Sequence, residues 1–250
     1  MTLNHIVMFY FSRWFFLSFL IRLIKHTRVV VLKTKKNKMS SSSKYEIRLM
    51  IKNDYEQVLS LLINSFFKDE PLTRNLQVKD VSHFSNNVIK TCLNDQCSFV
   101  AYDTETNQIV GVCLNEIVDR DTKNENNQPD EKLNFLLQIF ADMHKKINIF
   151  DRLNADKLLH IFMISVDKIA RGHRLAACLI GKSIEHAKNL NITGAFAEAT
   201  SVYSLNCFKQ HGFQIIDELI YAGYNPEYLG NMNDKMYDRC YLVARTINKD

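Results

Sequence analysis

The stretch Ile164–Ala176, with the sequence ISVDKIARGHRLA, decides how the chain folds. It overlaps the end of Leu158–Val166 (LLHIFMISV), a nearly continuous apolar run that predicts a central strand covered on both faces. It leads into Arg171–Leu190, where apolar residues at helical spacing predict a helix. Such a turn aims free backbone N–H groups and the positive helix end at one place. The stretch is therefore either a phosphate-binding turn or an ordinary strand-to-helix connection.

Strands and helices alternate on both sides of this stretch. Residues 98–103 and 109–118 predict an antiparallel hairpin around Thr104–Gln108. The polar, Pro-bearing segment Asp119–Asp130 predicts a loop. The pattern as a whole predicts one mixed α/β or α+β sheet. The other predicted strands are Tyr45–Met50, Gly194–Ala199, Phe213–Tyr224 and Arg239–Thr246, and the other helices run from Asp54 (capped by Asn53) to before Pro71, and over Val78–Leu93, Leu133–Ile147 and Ser201–His211.

Composition indicates a globular protein with ordinary, unbridged thiols. The 250 residues are 46% hydrophobic and 24% charged, and only 3 Pro and 7 Gly leave little material for linkers, which favours one domain with an appendage. Eight histidines include no HExxH pair, so we expect no metal site. Neither a disulfide framework nor a CxxC knuckle can be drawn from the six cysteines, which stand singly at 92, 97, 113, 178, 207 and 240.

Positive charge is concentrated at the N-terminus. Residues 1–38 contain eight Lys or Arg and no acid, whereas residues 39–250 contain 24 basic and 27 acidic residues. Nucleic-acid binding requires a concentrated phosphate-binding patch, so the acidic remainder argues against it.

Residues 1–38 pose a separate question. Ile6–Ile24 is apolar but is interrupted by Arg13 and Arg22, and each charge in mid-bilayer costs about 2.5 to 3.5 kcal/mol. The segment could be a weak anchor or interfacial helix, an organelle-targeting leader, or sequence translated upstream of a true start at Met39, which the polar run after Met39 favours. We expect residues 39–250 to form the domain in the cytoplasm, with membrane association through residues 1–38 as the alternative.

Two motifs, in order, resemble the GCN5-related N-acetyltransferase family. The family's acyl-CoA motif, V-x-x-x-x-R-G-x-G-[IL]-[AG], is matched by Val166, Arg171, Gly172, Leu175 and Ala176. The later segment SLNCFKQHGF, Ser204–Phe213, resembles the family's helix followed by a Gly-Phe pair. Three further segments resemble the invertebrate arylalkylamine or dopamine N-acetyltransferase-like branch: YEIR at Tyr45–Arg48, SFFKDEPL at Ser65–Leu72 and ISVD at Ile164–Asp167.

This resemblance covers about Tyr45–Thr246 and implies both fold and activity. The implied fold has a mixed, mostly antiparallel central sheet with splayed central strands and flanking helices. The implied activity is acetyl transfer from acetyl-CoA, without a metal, to a small primary amine and in particular an arylalkylamine. A polyamine, an amino acid or a protein N-terminus are alternative acceptors, and an acyl-CoA-binding module that has lost turnover is a further alternative.

Carried over residue by residue, the resemblance implies a site. Glu70 becomes the general base, because a primary amine arrives as an ammonium with a pKa near 10.4 and must lose a proton before it attacks a thioester. Without the resemblance, Glu70 would be interpreted as a solvated charge at a helix end. Thr200 and Ser204 become proton-relaying hydroxyls, and Ser201 is assigned to helix capping. The implied acetyl-CoA contacts are Ile164, Ser165, Val166, Arg171, Gly172, His173, Arg174, Leu175 and Ala176.

Two residues depart from the family pattern. Phe208 stands where many members have a tyrosine general acid, so the thiolate leaves unassisted, or Tyr203 or another hydroxyl supplies the proton. Arg174 stands where the loop normally has glycine. Its side chain either obstructs the pyrophosphate or adds positive charge beside the phosphates.

Overall fold

The structure is a computed structural model that describes residues 44–121 and 130–248. These residues belong to one unit, Ser43–Asp250. Our interpretations of residues 1–38, and most of the loop predicted over Asp119–Asp130, lie outside the described residues. The strands are β1 Tyr45–Leu49, β2 Phe99–Asp103, β3 Gln108–Asp119, β4 Lys157–Val166, β5 Gly194–Ala199, β6 Gln214–Ile220 and β7 Arg239–Thr246. The helices are α1 Tyr55–Leu61, α2 Phe67–Asp69, α3 Pro71–Leu76, α4 Ser82–Asp95, α5 Glu131–Lys146, α6 Ile149–Leu153, α7 Leu175–Asn189, α8 Val202–Gln210, α9 Tyr221–Tyr224 and α10 Pro226–Leu229.

The described strands form one seven-stranded sheet in the order β1-β2-β3-β4-β5-β7-β6. All neighbours are antiparallel except β4 and β5, which are parallel. The predicted mixed, mostly antiparallel sheet is therefore confirmed. The parallel pair is short: Leu159 pairs with Ala195 and His160 with Phe196, and no later residues of the two strands pair. The two central strands thus separate towards their carboxyl ends, as the fold class predicts.

Two hydrophobic clusters cover the two faces of the sheet. One contains residues of α1, α3, α4 and α5, such as Leu61 and Leu136. The other contains residues of α7 and α8, such as Leu179 and Phe208. The gap between β4 and β5 is therefore bordered by different helices on its two faces.

The first helical region differs from the prediction at its start and in its interior. Asn53 does not cap it; instead the buried carboxylate of Asp54 accepts the Ile51 N–H at 2.8 Å and pairs with Arg48 at 2.7 and 2.8 Å. Helix α1 begins at Tyr55 after a 3₁₀ turn, and Leu62–Phe66 then form a π-helical turn before α2. The predicted stop before Pro71 is confirmed, since α2 ends at Asp69.

Three other predicted boundaries are wrong. The helix predicted over Val78–Leu93 is α4, which begins at Ser82, and α3 lies before it as an additional helix, because proline suits a first helical position and a left-handed Gln77 (φ 54°) ends α3. Helix α7 begins at Leu175 rather than at Arg171. The strand predicted to Tyr224 ends at Ile220, where the short helices α9 and α10 begin.

Candidate active site

A cavity of about 540 Å³ opens where β4 and β5 separate. Its walls come from both strands, from α5 and α8, and from the segment that joins α2 to α3. It brings together predicted site residues that are far apart in the sequence, namely Glu70, Ile164, Ser165, Val166, Arg171, Ala176, Thr200 and Ser204. Four predicted acetyl-CoA contacts do not line it: Gly172, His173, Arg174 and Leu175 lie in the turn after β4 and at the start of α7.

The turn between β4 and α7 is exposed and positively charged. Lys168, Arg171 and Arg174 lie in it, and Gly172 and Arg174 have left-handed backbones with φ of 86° and 59°. These conformations explain why the helix does not begin at Arg171. The 15-residue helix α7 leaves its first backbone N–H groups without helical partners, as every α-helix does. Positive charge and free N–H groups together suit phosphate.

Arg171 ties this turn to the segment that carries Glu70. Its Nε donates to the Val166 carbonyl at 3.1 Å, and its Nη2 donates to the Asp69 carboxylate at 2.5 Å. The Lys168 ammonium lies 3.5 Å from the other oxygen of Asp69. Burial alone would raise the pKa of Asp69, but the Arg171 guanidinium and Lys168 lower it below its usual value. Asp69 therefore stays ionised and joins the turn to the residue before Glu70.

Glu70 caps a helix and faces the cavity at the same time. One carboxylate oxygen accepts the Leu72 N–H at 3.1 Å, and the other accepts the Thr73 N–H and hydroxyl at 2.6 Å each. The residue is 9% exposed, so it is not a solvated charge. Three donors thus hold a buried carboxylate in one orientation at the cavity wall.

The hydroxyls at the end of β5 also line the cavity. The Ser201 Oγ accepts the Ser204 N–H at 3.2 Å, which confirms Ser201 as the cap of α8. The Ser204 hydroxyl donates to the Ser201 carbonyl at 2.9 Å. Thr200 immediately follows β5. Both predicted relay residues therefore lie in the same cavity as Glu70.

Phe208 has no hydroxyl, and its ring is buried against Phe213 with 5.1 Å between centroids. Two tyrosines line the same cavity instead: Tyr203 and Tyr237, whose ring centroids are 6.3 Å apart. The sequence suggests Tyr203 as an alternative proton donor, but sequence reasoning missed Tyr237 because it lies far along the chain.

Sequence reasoning also missed a charged group under the cavity. The Glu198 side chain is 5% exposed; one oxygen lies 2.7 Å from the His160 Nε2, and the other pairs with His144. The other nitrogen of His160, Nδ1, lies 2.8 Å from Glu116. Two signals in the sequence could have indicated this group. Glu198 is the one acid in the strand GAFAEA, and His160 lies within an apolar run.

Charge pairing outweighs burial in this group. Burial alone would lower the pKa of His160, but the charges of Glu198 and Glu116 raise it above its ordinary value. Burial alone would raise the pKa of Glu198, but His160 and His144 lower it. The ring of His160 also stacks on Phe196 with 4.4 Å between centroids and 5° between planes. Glu198 is therefore a fixed, ionised acceptor that lines the cavity.

The rest of the cavity wall is largely apolar, and much of it is aromatic. It includes Phe66, Phe84, Leu136, Leu137, Phe140 and Phe162. The Phe84 and Phe162 rings meet edge to face with 6.0 Å between centroids. A flat apolar group would fit this wall better than a strongly hydrated one.

Two kinds of feature are absent from the part of the chain that the structure describes. In residues 44–121 and 130–248, no three or more His, Cys, Asp or Glu side chains are grouped so that they could hold a metal ion. No helix in the same part of the chain has the length and apolar character needed to cross a membrane. All six cysteines are described, and all have free thiols.

No protein-family model matches the chain. Among solved structures, arylalkylamine N-acetyltransferase 2 from Aedes aegypti matches with a TM-score of 0.73 and 24% identity, over 82% of this chain and 100% of that one. A mosquito arylalkylamine N-acetyltransferase-like 5b matches with a TM-score of 0.65 and 16% identity, over 81% and 99%. A polyamine N-acetyltransferase from Drosophila melanogaster gives the same TM-score, identity and coverage. The chain therefore has the fold of the GCN5-related N-acetyltransferases and resembles the insect arylalkylamine branch of that fold.

Proposed function

We propose that the protein is an acetyl-CoA-dependent N-acetyltransferase whose acceptor is an arylalkylamine. The observation that carries the proposal is the cavity between β4 and β5. It contains a buried carboxylate, Glu70, together with the hydroxyls of Thr200 and Ser204, and it adjoins a positively charged turn at the start of α7. The structural similarity to arylalkylamine N-acetyltransferases supports the same activity.

The donor is held by the turn and by β4. The CoA phosphates lie against Arg171, Arg174 and the first N–H groups of α7, where positive charge and the helix dipole favour them. The thioester lies along Ile164–Val166, whose edge is not paired with β5. A backbone N–H there stabilises the oxyanion that forms on the acetyl carbonyl.

The acceptor enters from the face covered by α1–α5, opposite to α7. Glu70, acting through a bound water, removes one proton from the ammonium, and the neutral amine attacks the acetyl carbonyl. The new C–N bond forms, and the C–S bond breaks when the tetrahedral intermediate collapses. The nitrogen loses its second proton through Ser204 and Thr200, and CoA leaves as a thiolate, which takes up a proton at its ordinary pKa of about 8.5.

A polyamine is the second candidate acceptor. Two buried carboxylates, Glu70 and Glu198, line the cavity, and a second ammonium could pair with one of them. The structural similarity to a Drosophila polyamine N-acetyltransferase supports this alternative.

A thiol-release assay tests the proposal. The full chain is mixed with acetyl-CoA and, in turn, with phenethylamine, tyramine, putrescine, spermidine and several amino acids. We expect release with the arylalkylamines above all others. Release with putrescine or spermidine alone would favour the polyamine alternative. Tight acetyl-CoA binding without release for any amine would instead indicate a binding module.

A further inference from the structure

Glu198 is a buried carboxylate in the acceptor part of the cavity. Alternate residues of a strand point to the same face, so Glu198 points to the same side as Phe196, which packs in the cluster beneath α1–α5. That is the side from which the amine enters in the function proposed above. Glu198 lines the cavity although its side chain is only 5% exposed.

The carboxylate keeps free acceptor capacity. A carboxylate offers about four lone-pair positions, and the two histidines occupy one on each oxygen. His160 has a carboxylate at each ring nitrogen, at 2.7 and 2.8 Å, so it donates from both nitrogens as an imidazolium. Glu198 is thus held as an acceptor by groups that do not themselves line the cavity.

The position of Glu198 suits the far end of a phenethylamine. Glu198 lies two positions before Thr200, which directly follows β5, and two positions of extended chain rise by about 6.6 Å. The distance from the amine nitrogen to a para oxygen on such a ring is similar, on the order of 7 Å from ordinary bond lengths. Phe162 and Phe84 flank the space in which the ring would lie.

We infer that Glu198 is a specificity-determining residue that accepts a hydrogen bond from a ring hydroxyl of the acceptor, so that the enzyme favours phenolic arylalkylamines. The inference rests on the proposed function and refines its substrate class. A neutral hydroxyl suits the position better than a second ammonium, because the wall around it is largely aromatic and apolar and an ammonium would have to give up its hydration there. A site built to accept a hydrogen bond from a substrate hydroxyl rejects an analogue that lacks this donor.

The test compares three acceptors with the full-length protein: tyramine, phenethylamine, and 4-methoxyphenethylamine, which keeps the ring oxygen but cannot donate. In the wild type we expect kcat/KM for tyramine to exceed both others by about 10-fold or more. In Glu198→Gln we expect the ratio of tyramine to phenethylamine to fall by about 10- to 100-fold.

Glu116→Gln is the matched control. Glu116 is the other partner of His160, but it does not line the cavity, so its loss perturbs the same histidine without touching the ligand position. We expect the tyramine to phenethylamine ratio of this variant to stay near that of the wild type. Thermal unfolding and acetyl-CoA affinity establish that each variant is folded, and the wild-type comparison decides the question if Glu198→Gln does not fold.

Several results would overturn the inference. Equal wild-type kcat/KM for tyramine and 4-methoxyphenethylamine would do so, as would an equal loss for tyramine and phenethylamine in Glu198→Gln. Putrescine is assayed beside the three acceptors, and a loss in Glu198→Gln that is confined to putrescine would assign Glu198 to a second ammonium instead. In each of these cases, the proposed function as an N-acetyltransferase would still hold if phenethylamine is acetylated. Failure to acetylate any amine would refute the proposed function and this inference with it.

Discussion

Replacing Arg174 by glycine should make the protein more stable and its acetyl-CoA complex weaker. Arg174 has φ 59° and ψ 20°, in the left-handed region. That conformation costs a residue with a side chain about 1 to 2 kcal/mol. Glycine avoids this cost. However, glycine also gives the unfolded chain more conformational freedom, which lowers the free energy of unfolding by about 0.4 to 1 kcal/mol. The net gain in the free energy of unfolding should be about 0.5 to 1 kcal/mol, which corresponds to roughly 1 to 4 °C in Tm.

The same substitution removes a positive charge from the turn that we propose binds the CoA phosphates. A charge-assisted hydrogen bond contributes about 1 to 3 kcal/mol, so Kd should rise by about 5- to 150-fold. Its dependence on salt should become flatter, because exposed charges are screened. Arg174→Ala is the control: it loses the charge but keeps a Cβ at positive φ, so it should bind as weakly as the glycine variant without the gain in Tm.

Thermal unfolding and calorimetry with acetyl-CoA at low and high salt measure both effects. Tighter binding by the glycine variant at both salt concentrations would show that the Arg174 side chain obstructs the pyrophosphate. A glycine variant less stable than both the wild type and the alanine variant would contradict the argument from backbone strain.

Four further outcomes are expected. Glu70→Gln should lower kcat by about 100-fold or more while acetyl-CoA affinity, measured by calorimetry, changes little; an unchanged rate between pH 6 and 9 would remove Glu70 from the mechanism. Ser204→Ala should lower kcat by about 10-fold in the thiol-release assay without changing Kd for acetyl-CoA, and equal rates would assign Ser204 to structure alone. The pKa of His160 is raised in the folded protein, so the folded state keeps the His160 proton to higher pH than the unfolded state does. The free energy of unfolding should therefore fall as pH rises above about 6.5. Urea titrations should show that this free energy falls less steeply with pH in His160→Gln. A chain that begins at Met39 should unfold at the same temperature as the full chain and turn over at least as fast, and its failure to fold would favour the anchor interpretation of residues 1–38.

The parts of the fold that sequence predicted well are those with a strong local pattern. The apolar run Leu158–Val166 is β4 almost residue for residue, because a strand covered on both faces admits few polar side chains. Gly194–Ala199 matches β5 in both bounds. Ser201 caps α8 as its position before an apolar helix predicts.

The missed features depend on backbone conformation or on distant contacts. Nothing in an arginine side chain signals a left-handed backbone, so the start of α7 could not be placed at Leu175 from propensity alone. The pairing of Glu198 with His144 and His160 joins α5, β4 and β5, and no spacing along the chain reveals it. For Glu70, the local sequence predicts a position at a helix end, but it does not predict that the side chain is buried.

The π-helical turn at Leu62–Phe66 has a consequence for how chains of this kind should be aligned. A π turn contains one residue more than an α turn, so it is equivalent to a single insertion within a helix. In a regular α-helix one added residue would rotate the downstream part by about 100° around the helix axis, and the wider π turn absorbs this rotation. Deleting exposed Asn64 should therefore restore a regular helix and leave Asp69 and Glu70 facing the cavity. A relative that lacks this residue should therefore be aligned with a gap at this turn, and a gapless alignment would match Glu70 to a residue that faces elsewhere.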